Sequence, residues 1–200
     1  MSRPVLERSD GPLRWALLPH LAREAAEPIA RAWLAARLGV EPGELPLQRD
    51  ARGRPGFGER FSFHDCNWSH SGDRLLVAVG EGVRIGVDLE RLRPRPRALE
   101  LARRFFTAIE ADALACVPAD ARDAAFVRLW CAKEAVLKAH GHGLSFGLDR
   151  LEFAAADRAP RLVACDAALG MPADWTLRMF EPEPGYLAAL AWRHAASSGG

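Results

Sequence analysis

The 200-residue sequence lacks most of what would set it apart from an ordinary globular chain. It has almost no net charge, since 27 Lys and Arg stand against 26 Asp and Glu for a formal +1. No global field therefore draws it to nucleic acid or to a membrane, and electrostatic recognition has to come from a local patch. Cysteines are few, and Cys66, Cys116, Cys131 and Cys165 form no C-x-x-C pair. That speaks against a disulfide framework or zinc knuckle and for reduced thiols in the cytoplasm. No apolar run approaches the about 20 residues of a bilayer-spanning helix. The N-terminal stretch carries charges on both sides of a very short apolar run, unlike a signal peptide. A G-x-S-x-G elbow is also missing, which weakens a Ser-His-Asp hydrolase reading. What is present is 49% hydrophobic and 26% charged residues, enough for a sizeable core in one domain or two small ones. The tail at 195–200, AASSGG, reads as frayed.

Periodicity gives a coarse layout. Residues 21–38 predict a helix with Ile29, Trp33, Leu34 and Leu38 on one face, stopped by Gly39 and started late by Pro28. Residues 41–60 are rich in Gly, Pro and charge and predict a loop. Strands at 74–79 and 83–90 flank Gly80-Glu81-Gly82 and predict a hairpin. In the second strand Val83, Ile85, Val87 and Leu89 face one way, and Arg84, Gly86, Asp88 and Glu90 the other. A linker with Pro94 and Pro96 follows, then helices at 99–113 and 121–139 and strands at 151–154, 176–180 and 186–192. Both halves run from a Trp-containing helix through a glycine into strands, and 32–39 loosely resembles 129–141. Duplication and chance likeness between alanine-rich helices both account for that.

Three clusters carry chemistry. Asp88 and Glu90, at i and i+2 on a strand, project from one face. They repel, so one takes up a proton unless a cation lies between them. A hard divalent ion meets that need; the solvated end of an edge strand is the alternative. Trp130, Glu134 and Lys138 form one helical stripe at i, i+4 and i+8. Its carboxylate and ammonium suit a metal and a phosphate oxygen, against an ordinary surface Glu–Lys pair and a core Trp. Finally, Asn67-Trp68-Ser69-His70-Ser71-Gly72 is a polar, turn-forming run. There Ser69, His70 and backbone N–H groups either hold phosphate or line a plain turn.

Taken in order, these segments resemble the surfactin-type 4′-phosphopantetheinyl transferase superfamily. The family's G-x-D-x-E strand is matched by Gly86-Val87-Asp88-Leu89-Glu90, and its W-x-x-K-E-x-x-x-K helix by Trp130 through Lys133, Glu134 and Lys138. Upstream, Gly53-Arg54-Pro55 matches a G-[KR]-P turn, and Asn67-Trp68-Ser69-His70-Ser71 an N-x-S-H-S/T segment. Arg104-Phe105-Phe106 and Gly141-His142-Gly143-Leu144 match two further elements. The resemblance covers roughly residues 20–150.

That resemblance implies an α+β fold of two similar halves, 1–92 and 93–200, in a pseudo-twofold arrangement with the active site in the cleft between them. It implies transfer of 4′-phosphopantetheine from coenzyme A, the substrate, to a serine of an apo acyl or peptidyl carrier protein, with release of adenosine 3′,5′-bisphosphate. Asp88, Glu90 and Glu134 would hold Mg²⁺, with Mn²⁺ as a substitute. Glu134 and Lys138 would be catalytic. Arg23, Arg31, Arg54, Ser69, His70, Lys133 and Lys138 would meet coenzyme A, although helical spacing turns Lys133 away from the Glu134 stripe. The basic run 91–97 with Arg103 and Arg104 would face an acidic carrier helix or be a solvated linker. The chain is shorter beyond its second motif than is usual in the family, which implies a reduced carrier-facing edge. A cytoplasmic monomer binding neither nucleic acid nor membrane is expected, since two halves in one chain already build the cleft. Alternatives are another Mg²⁺-dependent phosphotransfer enzyme or nuclease using the same acids, and a non-catalytic carrier-binding module of the same fold.

Overall fold

A computed structural model describes residues 4–154 and 159–195. The tail read as frayed lies, from residue 196 on, outside the described residues. In chain order the elements are β1 (Leu6–Asp10), β2 (Leu13–Pro19), α1 (Ala26–Leu38), β3 (Leu47–Arg49), β4 (Pro55–Phe57), β5 (His64–Ser71), β6 (Arg74–Glu81) and β7 (Val83–Arg91). Then come α2 (Ala98–Phe105), α3 (Ala108–Ala115), α4 (Ala119–His140), β8 (Leu151–Ala154), β9 (Arg161–Cys165), β10 (Thr176–Phe180) and β11 (Tyr186–His194). Among the described residues no helix is long and apolar enough to cross a membrane.

Two antiparallel sheets, ordered β1-β2-β6-β5 and β10-β11-β7, stack between helices. The period-2 alternation of their strands decides what each face buries. Leu75, Val77 and Val79 of β6 pack with Trp33 and Leu34 of α1. Leu76 and Ala78 turn the other way, onto Val83, Ile85, Val87 and Leu89 of β7 and onto Ala188 and Leu190 of β11. On the far face of β11, Leu187, Ala189 and Ala191 pack with α4. The order of layers is thus α1, first sheet, second sheet, α4. Each long helix ends at a left-handed glycine, Gly39 at φ 69° and Gly141 at φ 98°, as the sequence breaks predicted.

Several expectations fail, each for a physical reason. The strands at 74–79 and 83–90 are real but form no hairpin: β6 pairs with β2 and β5, while β7 pairs with β11. At Gly82, φ 67°, the chain turns a corner from one sheet into the other. The pairing of β7 with β11 puts the change of sheet at that corner. The supposed loop at 41–60 contains the small β3–β4 ladder. The helix expected at 99–113 is two helices: Phe106 is extended, and Thr107 opens α3 with a capping box to Glu110. That T-x-x-E signature was there to be read. Strands β1, β2 and β9 were not foreseen.

Gly86 fixes how α4 meets β7. A Cβ there would lie 1.9 Å from the Ala135 carbonyl oxygen and 2.4 Å from the Ala139 nitrogen, so helix backbone rests directly on strand backbone. Gly86→Ala is therefore expected to destabilise the protein by about 3 kcal/mol, the upper part of the usual overpacking range, and to loosen the site beside it. Chemical denaturation with transfer assays on the folded fraction checks this. A variant of wild-type stability would mean that α4 has room to move.

Candidate active site

The seam between the sheets is built from side chains. One edge of β7 carries a backbone ladder to β11, and the other meets β5. Every second residue of β5 points at β7. Asp65 Oδ2 accepts from Ile85 N at 2.7 Å, Asn67 Oδ1 from Val87 N at 3.0 Å and Ser71 Oγ from Arg91 N at 3.0 Å. The polar run at 67–72, expected as a turn, is thus mostly a strand whose side chains satisfy buried amides of the next sheet. Its polarity is a ladder substitute.

Beyond Gly86, Asp88 and Glu90 leave β7 toward α4. Lys138 Nζ donates to Asp88 Oδ1 at 2.7 Å and to Ser69 Oγ at 3.1 Å, and Ser69 Oγ donates to the same Asp88 oxygen at 3.0 Å. Glu90 accepts from Arg95 Nη2 at 2.8 Å and from Ser71 Oγ at 3.4 Å. Glu134, one helical turn before Lys138, is buried. Burial, with Asp88 and Glu90 as neighbours, pushes its carboxyl up to about 7 against the pull of Lys138. Burial and then Asp88 also raise Glu90, with Arg95 opposing. Burial disfavours the Lys138 ammonium, but Asp88 and Glu134 outweigh it and its pKa stays above the ordinary value.

Asp88 and Glu90 are near enough to raise the pKa of Glu134, and Asp88 that of Glu90, yet each of the two acids on β7 is already held by a cation. Among the described residues no three His, Cys, Asp or Glu side chains converge as a ready-made metal cage. Two observations nevertheless fit a divalent ion. Asp88 Oδ2 is buried without a hydrogen-bond partner among the described residues. And Glu134 and Glu90 share a site that penalises their charged forms. A hard cation with oxygen ligands relieves both.

Several residues expected to meet coenzyme A are otherwise engaged. Arg54 is buried and forms a bidentate pair with Asp65. It donates further to the carbonyls of Pro55, Ile85 and Lys138. It joins the β4 segment to β5, β7 and α4 and has no donor left for phosphate. Lys133 is fully buried: it pairs with Glu110 at 2.7 Å and donates to the Leu148 and Leu151 carbonyls. It anchors α4 to α3 and β8, away from the acids. Arg31 donates to the Leu45 and Leu47 carbonyls and to Glu27. Arg23 is exposed at φ 73°. Ser69 and Lys138 are at the acids, as expected. His70 is largely exposed, its ring centroid 4.7 Å from that of His20, and partial desolvation together with His20 and Lys138 lowers its pKa. Trp130 packs on Phe105, Phe106 and Phe126.

Two arginines that were not singled out lie nearby, one of them, Arg49, paired with Glu27. Arg49 and Arg52 line a cavity of about 230 Å³ with Trp68, Lys138 and His142. The signal was the density of arginine in RDARGR at 49–54, around the turn motif itself.

The profile of the 4′-phosphopantetheinyl transferase superfamily matches residues 84–191. The chain belongs to that superfamily. Among its relatives it is 37% identical over 169 residues to 4′-phosphopantetheinyl transferase HetI of Nostoc sp., covering 84% of this chain and 68% of the relative. It is 31% identical to 4′-phosphopantetheinyl transferase psf-1 of Bacillus pumilus, with 78% and 64% covered. It is 25% identical to 4′-phosphopantetheinyl transferase Sfp of Bacillus subtilis, with 83% and 71% covered. The chain thus spans about two-thirds of these relatives' length. The part matched to the phosphopantetheinyl transferase profile holds Gly86, Asp88, Glu90, Glu134 and Lys138. The β5 seam and the Arg49–Arg54 turn lie outside it.

Proposed function

We propose that this chain moves 4′-phosphopantetheine from coenzyme A onto the serine of an apo carrier protein, releasing adenosine 3′,5′-bisphosphate. The observation that carries the reading is the joint placement of Asp88, Glu90, Glu134 and Lys138 where α4 rests on Gly86. Asp88, Glu90 and Glu134 would hold Mg²⁺ or Mn²⁺. Bound there, the ion would supply charge neutralisation at the pyrophosphate, as metals do in phosphoryl transfer.

The remaining roles belong to this chain's own side chains. Glu134 accepts the proton of the carrier serine, directly or through a water. The serine oxygen attacks the phosphorus that bears the pantetheine arm, and the bond to the bridging pyrophosphate oxygen breaks. The electron pair leaves on adenosine 3′,5′-bisphosphate. Lys138 remains an ammonium and offsets charge growing on the phosphoryl oxygens. Arg52, beside an Arg49 that pairs with Glu27, gives the neighbouring cavity a positive group for the nucleotide end, with Trp68 and His142 among the walls. His70 stays open to a phosphate.

A helix on each sheet, α1 on the first and α4 on the second, supports reading the chain as two related halves in pseudo-twofold arrangement. A monomer in the cytoplasm goes with that reading. The test is incubation with coenzyme A, Mg²⁺ and a panel of apo carriers. The expected result is a mass gain on at least one carrier, with equimolar adenosine 3′,5′-bisphosphate. An unmodified panel overturns the proposal.

A further inference from the structure

Glu90 does not face solvent water alone; it faces Arg95. Arg95 sits on the linker between β7 and α2 with Pro94 and Pro96 on either side, so its backbone is restricted. Its backbone N donates to Asp123 Oδ2 of α4 at 2.8 Å, which clamps the linker to the helix that carries Glu134. From there Nη2 reaches Glu90 Oε2 at 2.8 Å, with both side chains 22% exposed. Arg95 Nε is buried and has no hydrogen-bond partner among the described residues. Arg95 and Glu90 also line a small cavity of about 80 Å³ whose other walls are Leu101, Phe126, Val127 and Trp130.

A free surface pair has none of these features. Here the backbone is fixed at the arginine, one donor is spent on a carboxylate of the acidic site, and another is buried and unspent. The guanidinium neutralises the Glu90 carboxylate, the service a divalent ion held by that residue would supply. Cation and guanidinium then compete for the same carboxylate.

We propose that Arg95 is a built-in counter-cation at Glu90, which competes with a divalent ion for that carboxylate and so sets how tightly the site takes metal. This rests on reading Asp88, Glu90 and Glu134 as the metal site. With the ion absent, Arg95 Nη2 holds Glu90 Oε2. When an ion arrives, Arg95 gives up that bond, and metal affinity is lower by its cost. Lys138 holds Asp88 in a similar way but belongs to the catalytic set; Arg95 lies outside the motifs that led to the site.

The test uses Mn²⁺ alone with the full chain at pH 8. Binding is followed by loss of the free-ion paramagnetic signal. Arg95→Ala is expected to bind Mn²⁺ about tenfold more tightly, the worth of one hydrogen bond to a charged group. Arg95→Gln, which keeps a donor without the charge, should tighten binding as well. Arg95→Lys should return it toward wild type, and Arg97→Ala, on the exposed Arg97–Glu100 pair, should leave it unchanged. Unchanged or weaker binding in both neutral variants overturns the proposal while leaving the metal site standing. If wild type binds no Mn²⁺, the metal reading of the site fails and the proposal with it.

Discussion

Glu134→Gln is expected to slow transfer about a thousandfold, within the range for loss of a general base, and at the same time to stabilise the metal-free protein at pH 8. Both effects come from one carboxyl. Its pKa stands at about 7 when folded, against an ordinary 4.5, because burial and two neighbouring acids disfavour its charge. The folded state therefore binds the Glu134 proton more tightly than the unfolded state does. Between pH 4.5 and about 7 the unfolded chain releases this proton first, so stability from this group falls as pH rises through that window. At pH 8 the penalty is fully present, up to about 3 kcal/mol as an upper bound. Glutamine keeps the shape and removes the titration. Thermal melts in a chelator should show the variant above wild type at pH 8, with the gap closing toward pH 5. A variant that melts lower at pH 8 would remove the burial argument. Normal turnover would remove both roles given to Glu134.

Arg54→Ala is expected to cost about 3–5 kcal/mol of stability, the range for breaking a buried pair by removing one partner. The reason is the Asp65 carboxylate it leaves in the seam, together with three carbonyls that lose their donor. For a chain of this size that corresponds to a fall of about 10 °C or more in melting temperature. Had Arg54 been a phosphate ligand, the main effect would be a raised KM for coenzyme A in a protein of normal stability. Denaturant titration beside the KM separates the two. Arg54→Met combined with Asp65→Leu should recover much of the loss, because no charge is then stranded.

The arginine of the turn motif and the first lysine of the helix motif share one lesson. Arg54 and Lys133 look like phosphate ligands in a linear reading, since a basic residue beside a glycine turn or an acidic helix is what a phosphate site needs. In the folded chain Asp65 and Glu110 take them, from 11 and 23 positions away along the sequence. Asp65 belongs to no motif and Glu110 only to the capping box of α3, and nothing local announces either as the partner of a distant cation. The polar run at 67–71 misleads for the same reason, because its acceptors serve amides of a strand that lies 20 residues on.

The sequence by itself determined which side chains share a face. Period 2 on a strand puts Asp88 and Glu90 together and sends Val87 and Leu89 to the core. Period 3.6 on a helix puts Glu134 and Lys138 one turn apart. Both follow from backbone geometry and need no partner. Only the tertiary structure decided that β7 crosses into the second sheet and that α4 lands on Gly86. The same holds for which cations were already taken, with Arg95 at Glu90 and Arg54 at Asp65. Those outcomes depend on backbone contact and on where each hydrogen-bonding group is spent, and both are set by residues far apart in the chain.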